Sequence, residues 1–247
     1  MSNFLIARPV GKADKMLAEL AKIGINYLYQ PLIEICQLTI NDADKQLIQR
    51  ADALIFVSIS AVRCLQSQLD GNLISADLYA VGDSTAEALS QWLGRSVCVP
   101  QDQRSEGLIG LAEFKQLAGK RVVVLRAEGG RELIKQQLLA IKADVHYVLN
   151  YQRQALALEG SALYQQWQQA GIRCIVVTSN EILQQVFKLM PVSAHVWLQS
   201  LDWILVSPRM QQKALQLGIA TNNITLAENA NDPALLQTIG QINRSYL

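Results

Sequence analysis

Short apolar runs and helical patterns alternate along all 247 residues, and this alternation restricts the fold more than any other feature. Phe4–Ala7, Leu54–Val57, Leu78–Val81, Val122–Leu125, Cys174–Val177 and Trp203–Val206 are runs dominated by apolar side chains. Runs without polar alternation suit parallel strands covered on both faces. Small or polar residues follow each run, and then a helix-period pattern, as in Ala13–Ile23, Ser84–Leu93, Arg131–Ile141 and Glu181–Leu189. Such a series predicts α/β architecture with parallel sheets. Ser84 and Asn180 are the expected helix caps, and Gly24, Gly94 and Gly218 the expected helix stops.

A weak repeat points to two similar domains. FLIARP (4–9) resembles VVLRAE (123–128), which superposes Arg8 on Arg126. FVSIS (56–60) resembles VVTSN (176–180), and AVGDST (80–85) resembles LVSPRM (205–210). A contiguous division near Gly119 is the simplest boundary.

With 22 basic and 21 acidic residues the net charge is +1, too small for a broad field that attracts nucleic acid or an anionic membrane. His146 and His195 are the only histidines, and Cys36, Cys64, Cys98 and Cys174 are scattered. No CxxC or HExxH spacing occurs, so no metal site is expected. The cysteines are read as buried, reduced thiols, His146 as a strand-face residue and His195 as a surface residue. The N-terminal apolar stretch breaks at Arg8 and Pro9, too soon for a secretory signal core. No apolar run approaches the ~20 residues of a membrane span. A cytoplasmic protein is expected.

Ligands of open parallel sheets bind beyond the carboxyl ends of the strands. Those ends carry Arg8, Ser58, Ser60, Gly82–Thr85, Arg126–Arg131, Thr178–Asn180 and Ser207–Arg209. Hydroxyls, glycines, arginines and helix N-termini form a donor set suited to a small polyanion. RAEGGR lacks the GxGxxG spacing, and neither GxxxxGK[ST] nor GxSxG occurs. Chemistry here is not expected to rest on a histidine base, a metal or a nucleotide.

Read together, LIARP, FVSISAV, YAVGDSTAEAL, P..QRSEGL, VVVLRAEGGRELI, NYQR, VVTSNEIL, VSPRM and NDPALL resemble the uroporphyrinogen-III synthase family from about residue 4 to 239. The resemblance implies two similar α/β domains, each a parallel sheet flanked by helices, joined by a two-stranded linker with a cleft between them. One domain would be discontinuous, residues 1–35 plus 152–247, with residues 36–151 inserted. The chain would cross at Gln30–Ile35 and Asn150–Gln154.

The implied reaction closes hydroxymethylbilane, a linear tetrapyrrole with eight carboxylates, to uroporphyrinogen III. Water is lost and ring D is inverted, with neither cofactor nor metal. Tyr151, from NYQR, matches the family's linker tyrosine and is the candidate general acid; a phenol stays protonated at pH 7. Substrate-binding candidates are Arg8, Ser58, Ser60, Gly82, Ser84, Thr85, Ser105, Gly107, Arg126, Gly130, Arg131, Thr178, Ser179, Asn180, Ser207 and Arg209. A monomer is expected, with room for transient contact with the enzyme that makes hydroxymethylbilane, and no nucleic-acid or membrane partner. The competing reading is a two-lobed, non-enzymatic binding protein for a small anionic ligand.

Overall fold

The computed structural model describes residues 3–129 and 132–246. The chain runs β1 (Phe4–Ile6), α1 (Asp14–Lys22), β2 (Tyr27–Tyr29), β3 (Ile33–Gln37), α2 (Asp42–Gln49), β4 (Ala53–Phe56), α3 (Ile59–Gln66) and β5 (Asp77–Ala80). It continues through α4 (Asp83–Leu93), short α5 (Ser105–Gly110) and α6 (Ala112–Lys115), β6 (Arg121–Ala127), α7 (Leu133–Ala140) and β7 (Asp144–Ala155). The last part holds α8 (Gly160–Gln169), β8 (Cys174–Val176), α9 (Asn180–Leu189), α10 (His195–Ser200), β9 (Asp202–Leu205), α11 (Pro208–Gln216), β10 (Ile224–Leu226) and α12 (Asp232–Ser245).

Two compact units emerge, Met1–Glu34 with Gln154–Leu247, and Ile35–Arg153. Each has its own five-stranded sheet, in order β10-β9-β8-β1-β2 for the first and β3-β7-β6-β4-β5 for the second. Neighbouring strands of the first sheet are parallel throughout, as are β5, β4, β6 and β7 of the second. β3 runs the other way. As residue numbers rise along it from Leu32 to Leu38, those of the bonded partner fall from Leu156 to Asn150.

The apolar runs form these sheets because both faces are buried. Along β1, Phe4 and Ile6 enter one cluster with Met16, Leu20 and Leu235, while Leu5 and Ala7 enter another with Trp167, Leu183 and Trp203. Along β4, Leu54 and Phe56 pack with Leu65 and Leu89, while Ala53 and Ile55 pack with Leu108 and Phe114. Adjacent strand residues point to opposite faces, so a strand buried twice must be apolar at every position.

The strand orders revise the repeat. In the first unit β1 lies between β2 and β8; in the second β4 lies between β5 and β6. β1 therefore corresponds to β4, and β8 to β6. Arg8 occupies the position of Ser58 rather than that of Arg126, whose counterpart is Val177. Consecutive buried strands share composition, so local similarity aligned the right elements in the wrong phase. Similar domains stand; the superposition of the two halves does not.

Two helix caps also shift. Gly82 and Ser179, not Ser84 and Asn180, have the extended cap conformation, and Ser179 accepts the Ile182 N–H. Ser84 and Asn180 already lie inside their helices. Gly24, Gly94 and Gly218 do end helices, each with a left-handed φ that other residues adopt only at a cost. Cys174 is fully buried, whereas Cys36, Cys64 and Cys98 are half-buried; none of the four is disulfide-bonded. His195 is not a surface residue. It is half-buried, bonds the Phe187 carbonyl through Nε2 at 2.9 Å and sets its ring edge-on to Phe187.

Candidate functional site

In each sheet the chain leaves one strand to opposite sides: from β1 toward β2 and β8, from β4 toward β5 and β6. Such a switch opens a crevice at the carboxyl ends of the two diverging strands, where ligands of open α/β sheets bind. In the first unit those ends are Ala7–Arg8 and Val177–Asn180. In the second they are Val57–Ser60 and Ala127–Gly129.

Four strand-to-helix corners share one conformation. Ser58, Gly82, Ser179 and Ser207 have φ of −165°, −149°, −153° and −164°, with ψ of 160°, 162°, 155° and 153°. Each follows its strand by two or three residues and caps the next helix. The serine hydroxyls accept the N–H groups of Ala61, Ile182 and Met210. Extended caps leave the other first-turn N–H groups facing outward, where the helix dipole favours anions.

The arrangement around Tyr151 comes from a break in register. β7 pairs with β6 from Arg121↔Asp144 to Arg126↔Leu149, but the next pair is Ala127↔Tyr151. Asn150 is the extra residue. A β-bulge of this kind re-aims side chains, and bulges are common beside active sites. Val148 points inward and Leu149 outward, after which Asn150 and Tyr151 are both buried, at 0% and 1% exposed. Without the bulge, alternation would send one of them out of the core. The Asn150 amide donates to the Ala61 carbonyl at 2.7 Å, tying β7 to the first turn of α3. Its Oδ1 is buried without a partner among the described residues. The Tyr151 hydroxyl lies 2.8 Å from Ser58 Oγ. Tyr151 and Ser58, 93 positions apart in sequence, thus share a hydrogen bond at the carboxyl end of β4.

The other sequence candidates divide. Thr85 and Ser60 are buried inside the first turns of α4 and α3, whereas Ser84 is exposed on α4. Thr178 and Asn180 flank the Ser179 cap and are half-buried, and Asn180 Oδ1 is enclosed without a partner among the described residues. Arg209 is exposed at the start of α11, with no salt bridge among the described residues. Ser105 begins α5. Gly107 lies against the backbone: a Cβ there would be 1.9 Å from the Asp102 carbonyl oxygen. Gly130 and Arg131 lie outside the described residues.

Two arginines are engaged within the protein. Arg8 bonds Asp232, the first residue of α12, through Nη1 at 2.5 Å. Arg126 is 7% exposed; it bonds the Gly129 and Ala127 carbonyls and the Glu132 carboxylate, and its guanidinium lies 4.6 Å from the Tyr147 ring centre. Gln103, not singled out in the sequence, donates to Asp83 at 2.6 Å and accepts from its N–H, covering the start of α4. Arg104 binds Asp102 through two nitrogens, and this contact holds the Asp102 carboxyl below its ordinary pKa. Asn150, Gln103 and Asp232 lie in NYQR, P..QRSEGL and NDPALL, yet none of them is singled out there as a site residue. Only NDP, a cap followed by proline at the second helical position, marked the α12 start that holds Asp232. No cluster of three or more His, Cys, Asp or Glu suited to a metal occurs among the described residues. No helix among them is long and apolar enough to cross a membrane.

These features define an α/β protein of two units whose strand ends carry hydroxyls, glycines and helix N-termini. Residues 14–237 match the family described as "Uroporphyrinogen-III synthase HemD". The uroporphyrinogen-III synthase of Escherichia coli K12 is 34% identical over 247 residues, covering 96% of this chain and 99% of that protein. Its counterpart in Salmonella typhimurium LT2 is 32% identical, with the same coverages. The structure of uroporphyrinogen-III synthetase from Helicobacter pylori 26695 superposes with a TM-score of 0.65 at 17% identity, covering 98% of this chain and 100% of that one. A mutant uroporphyrinogen III synthase from Thermus thermophilus gives 0.63 at 15%, covering 98% of each. The last two similarities bear on fold alone. The chain belongs to the uroporphyrinogen-III synthase family and is an enzyme of tetrapyrrole synthesis, a cyclising lyase.

Proposed function

We propose that the protein converts hydroxymethylbilane to uroporphyrinogen III, with Tyr151 as the proton source. The observation that carries this reading is the family match over residues 14–237, joined to near full-length relatives that bear the enzyme's name. The pyrrole nitrogens push out the terminal hydroxyl, and a proton from the Tyr151 side releases it as water, giving an azafulvenium cation. The substituted carbon of ring D attacks, the spiro product fragments, and ring D closes through its other carbon. Positioned acid assistance contributes ~10²–10⁴-fold. Holding the chain folded for ring closure contributes up to ~7–11 kcal/mol in favourable intramolecular cases.

The strand ends of each unit supply donors for the substrate's carboxylates. In the first unit these are the helix starts at Thr178–Asn180 and Ser207–Arg209. In the second they are the starts at Ser58–Ser60 and Gly82–Thr85, with Ser105–Gly107 beside them. Arg8 and Arg126 shape the corners through Asp232 and Gly129, and Gly130 and Arg131 extend the donor set. No cofactor enters the scheme. The two units act as domains, on the boundaries 1–35 with 152–247 and 36–151. The protein works as a cytoplasmic monomer that receives its unstable substrate by transient contact with the enzyme that makes it.

The test is incubation with freshly generated hydroxymethylbilane, followed by oxidation and separation of the type I and type III isomers. Type III product is expected. Type I alone, the product of spontaneous closure, refutes the reading.

A further inference from the structure

The proposed proton source is covered: Tyr151 is 1% exposed, and its ring belongs to the core cluster of Leu54, Phe56 and Leu125. A general acid must reach the atom it protonates. Its hydroxyl meets Ser58 Oγ at 2.8 Å, and Ser58 is partly exposed at the crevice end of β4.

Hydrogen-bond counting orients the pair. A serine hydroxyl offers one donor and two acceptor sites. Ser58 Oγ accepts the Ala61 N–H at 3.3 Å. Were Ser58 to donate to Tyr151, the buried phenol proton would lose its partner among the described residues, which costs ~1–3 kcal/mol. With Tyr151 donating, both acceptor sites of Ser58 are used and the phenol is satisfied. The serine proton is then left directed away from the pair.

We infer that Ser58 is a catalytic residue that touches the substrate, relaying the proton of Tyr151 to the departing hydroxyl. This deepens, and rests on, the reading of Tyr151 as proton source. The C–O bond breaks with its electron pair going to oxygen, and the Ser58 proton passes to that oxygen to complete water. The Tyr151 proton moves to Ser58 Oγ, leaving a phenolate beside the positive end of α3. When the second ring D carbon closes the macrocycle, it sheds its own proton to restore the pyrrole. That proton returns through Ser58 to Tyr151, so the enzyme ends unchanged.

Ser58 is also a helix cap, so the experiment must separate the two roles. Glycine caps a helix within a few tenths of a kcal/mol of serine but carries no hydroxyl. Steady-state type III formation is measured for Ser58→Gly, Ser58→Ala, Ser58→Thr, Tyr151→Phe and Ser58→Ala/Tyr151→Phe, with a melting curve for each. Ser58→Gly and Ser58→Ala are expected to lower kcat by the same ~100-fold as Tyr151→Phe, with little change in KM. Ser58→Thr should restore most of the rate, and the double variant should be no slower than either single one. Full turnover in Ser58→Gly with a slow Tyr151→Phe overturns the relay and leaves Tyr151 as proton source. Losses that multiply in the double variant also overturn the relay. Full turnover in Tyr151→Phe removes the parent reading.

Discussion

Gly107 and Gly110 lie three residues apart in α5 and should respond to alanine in opposite directions. A Cβ on Gly107 would stand 1.9 Å from the Asp102 carbonyl oxygen and 2.9 Å from its carbon, whereas nothing lies within 4 Å of a Cβ on Gly110. Carbon and carbonyl oxygen keep at least ~3.3 Å even in close contacts. Gly107→Ala must therefore drive α5 and the Asp102 peptide apart by more than ~1 Å. The obstacle is backbone rather than a flexible side-chain tip, so rotamer changes bring no relief. Forced overpacking costs ~1–3 kcal/mol, and replacing glycine in a helix returns ~0.5–1 kcal/mol. Gly107→Ala should thus lose ~1–2 kcal/mol, and Gly110→Ala should gain ~0.5 kcal/mol. At ~2–4 °C per kcal/mol for a chain of this size, the melting temperatures should differ by ~5 °C. The strain falls on the segment holding Gln103, which bonds Asp83 at the start of α4. KM for hydroxymethylbilane should rise in Gly107→Ala and stay level in Gly110→Ala. Melting curves and initial rates on the two variants decide the matter. Equal stability and equal KM would refute the close approach of α5 to Asp102.

Lys142 holds a φ of +62° after α7, so Lys142→Gly should raise stability by ~1 kcal/mol in a urea titration. Arg126→Met removes the guanidinium contacts to Gly129, Ala127 and Glu132. It should cost ~2 kcal/mol and expose the bond after Glu128 to a glutamate-specific protease, read by cleavage rate. Burial raises the pKa of Tyr79 to about 12, while burial and the bond to Asp202 raise that of Tyr246. Both shifts favour the folded state fully below pH 10, the ordinary tyrosine value. Above it the unfolded chain loses protons first, so stability should fall as pH rises toward 12. Tyr246→Phe should flatten that decline, as followed by urea midpoints between about pH 9 and 11.5.

Six strands were legible because they are buried on both faces and therefore apolar throughout. β2 and β10 escaped the pattern for a physical reason: they are three-residue edge strands of the first sheet, half-buried or exposed. β3 and the end of β7 mix polar and apolar residues, and only resemblance pointed to crossings there. Helix caps were misplaced by one or two positions because several corner residues are competent caps, and backbone conformation chooses among them. For the candidate site, the serines and glycines at strand ends could be read from composition and position. Contacts made across the fold could not. Arg8 meets Asp232 across 224 positions of sequence, Ser58 meets Tyr151 across 93, and the bulge at Asn150 belongs to the pairing of two strands rather than to either one.

The discontinuous unit has a consequence for synthesis on the ribosome. Residues 33–155 hold every strand of the second sheet once Ala155 has emerged, so that unit can close while the chain is still growing. β1, α1 and β2 emerge earlier but must wait, because β1 pairs on its other edge with β8, which starts at Cys174. At ~5–20 residues per second, the later segment takes several seconds to appear. Throughout that interval the first-made piece carries an unpaired strand and uncovered apolar faces, a target for chaperones and a seed for mispairing. The later-made β8 rescues the earlier β1, and a chain stalled between them would betray itself at β1.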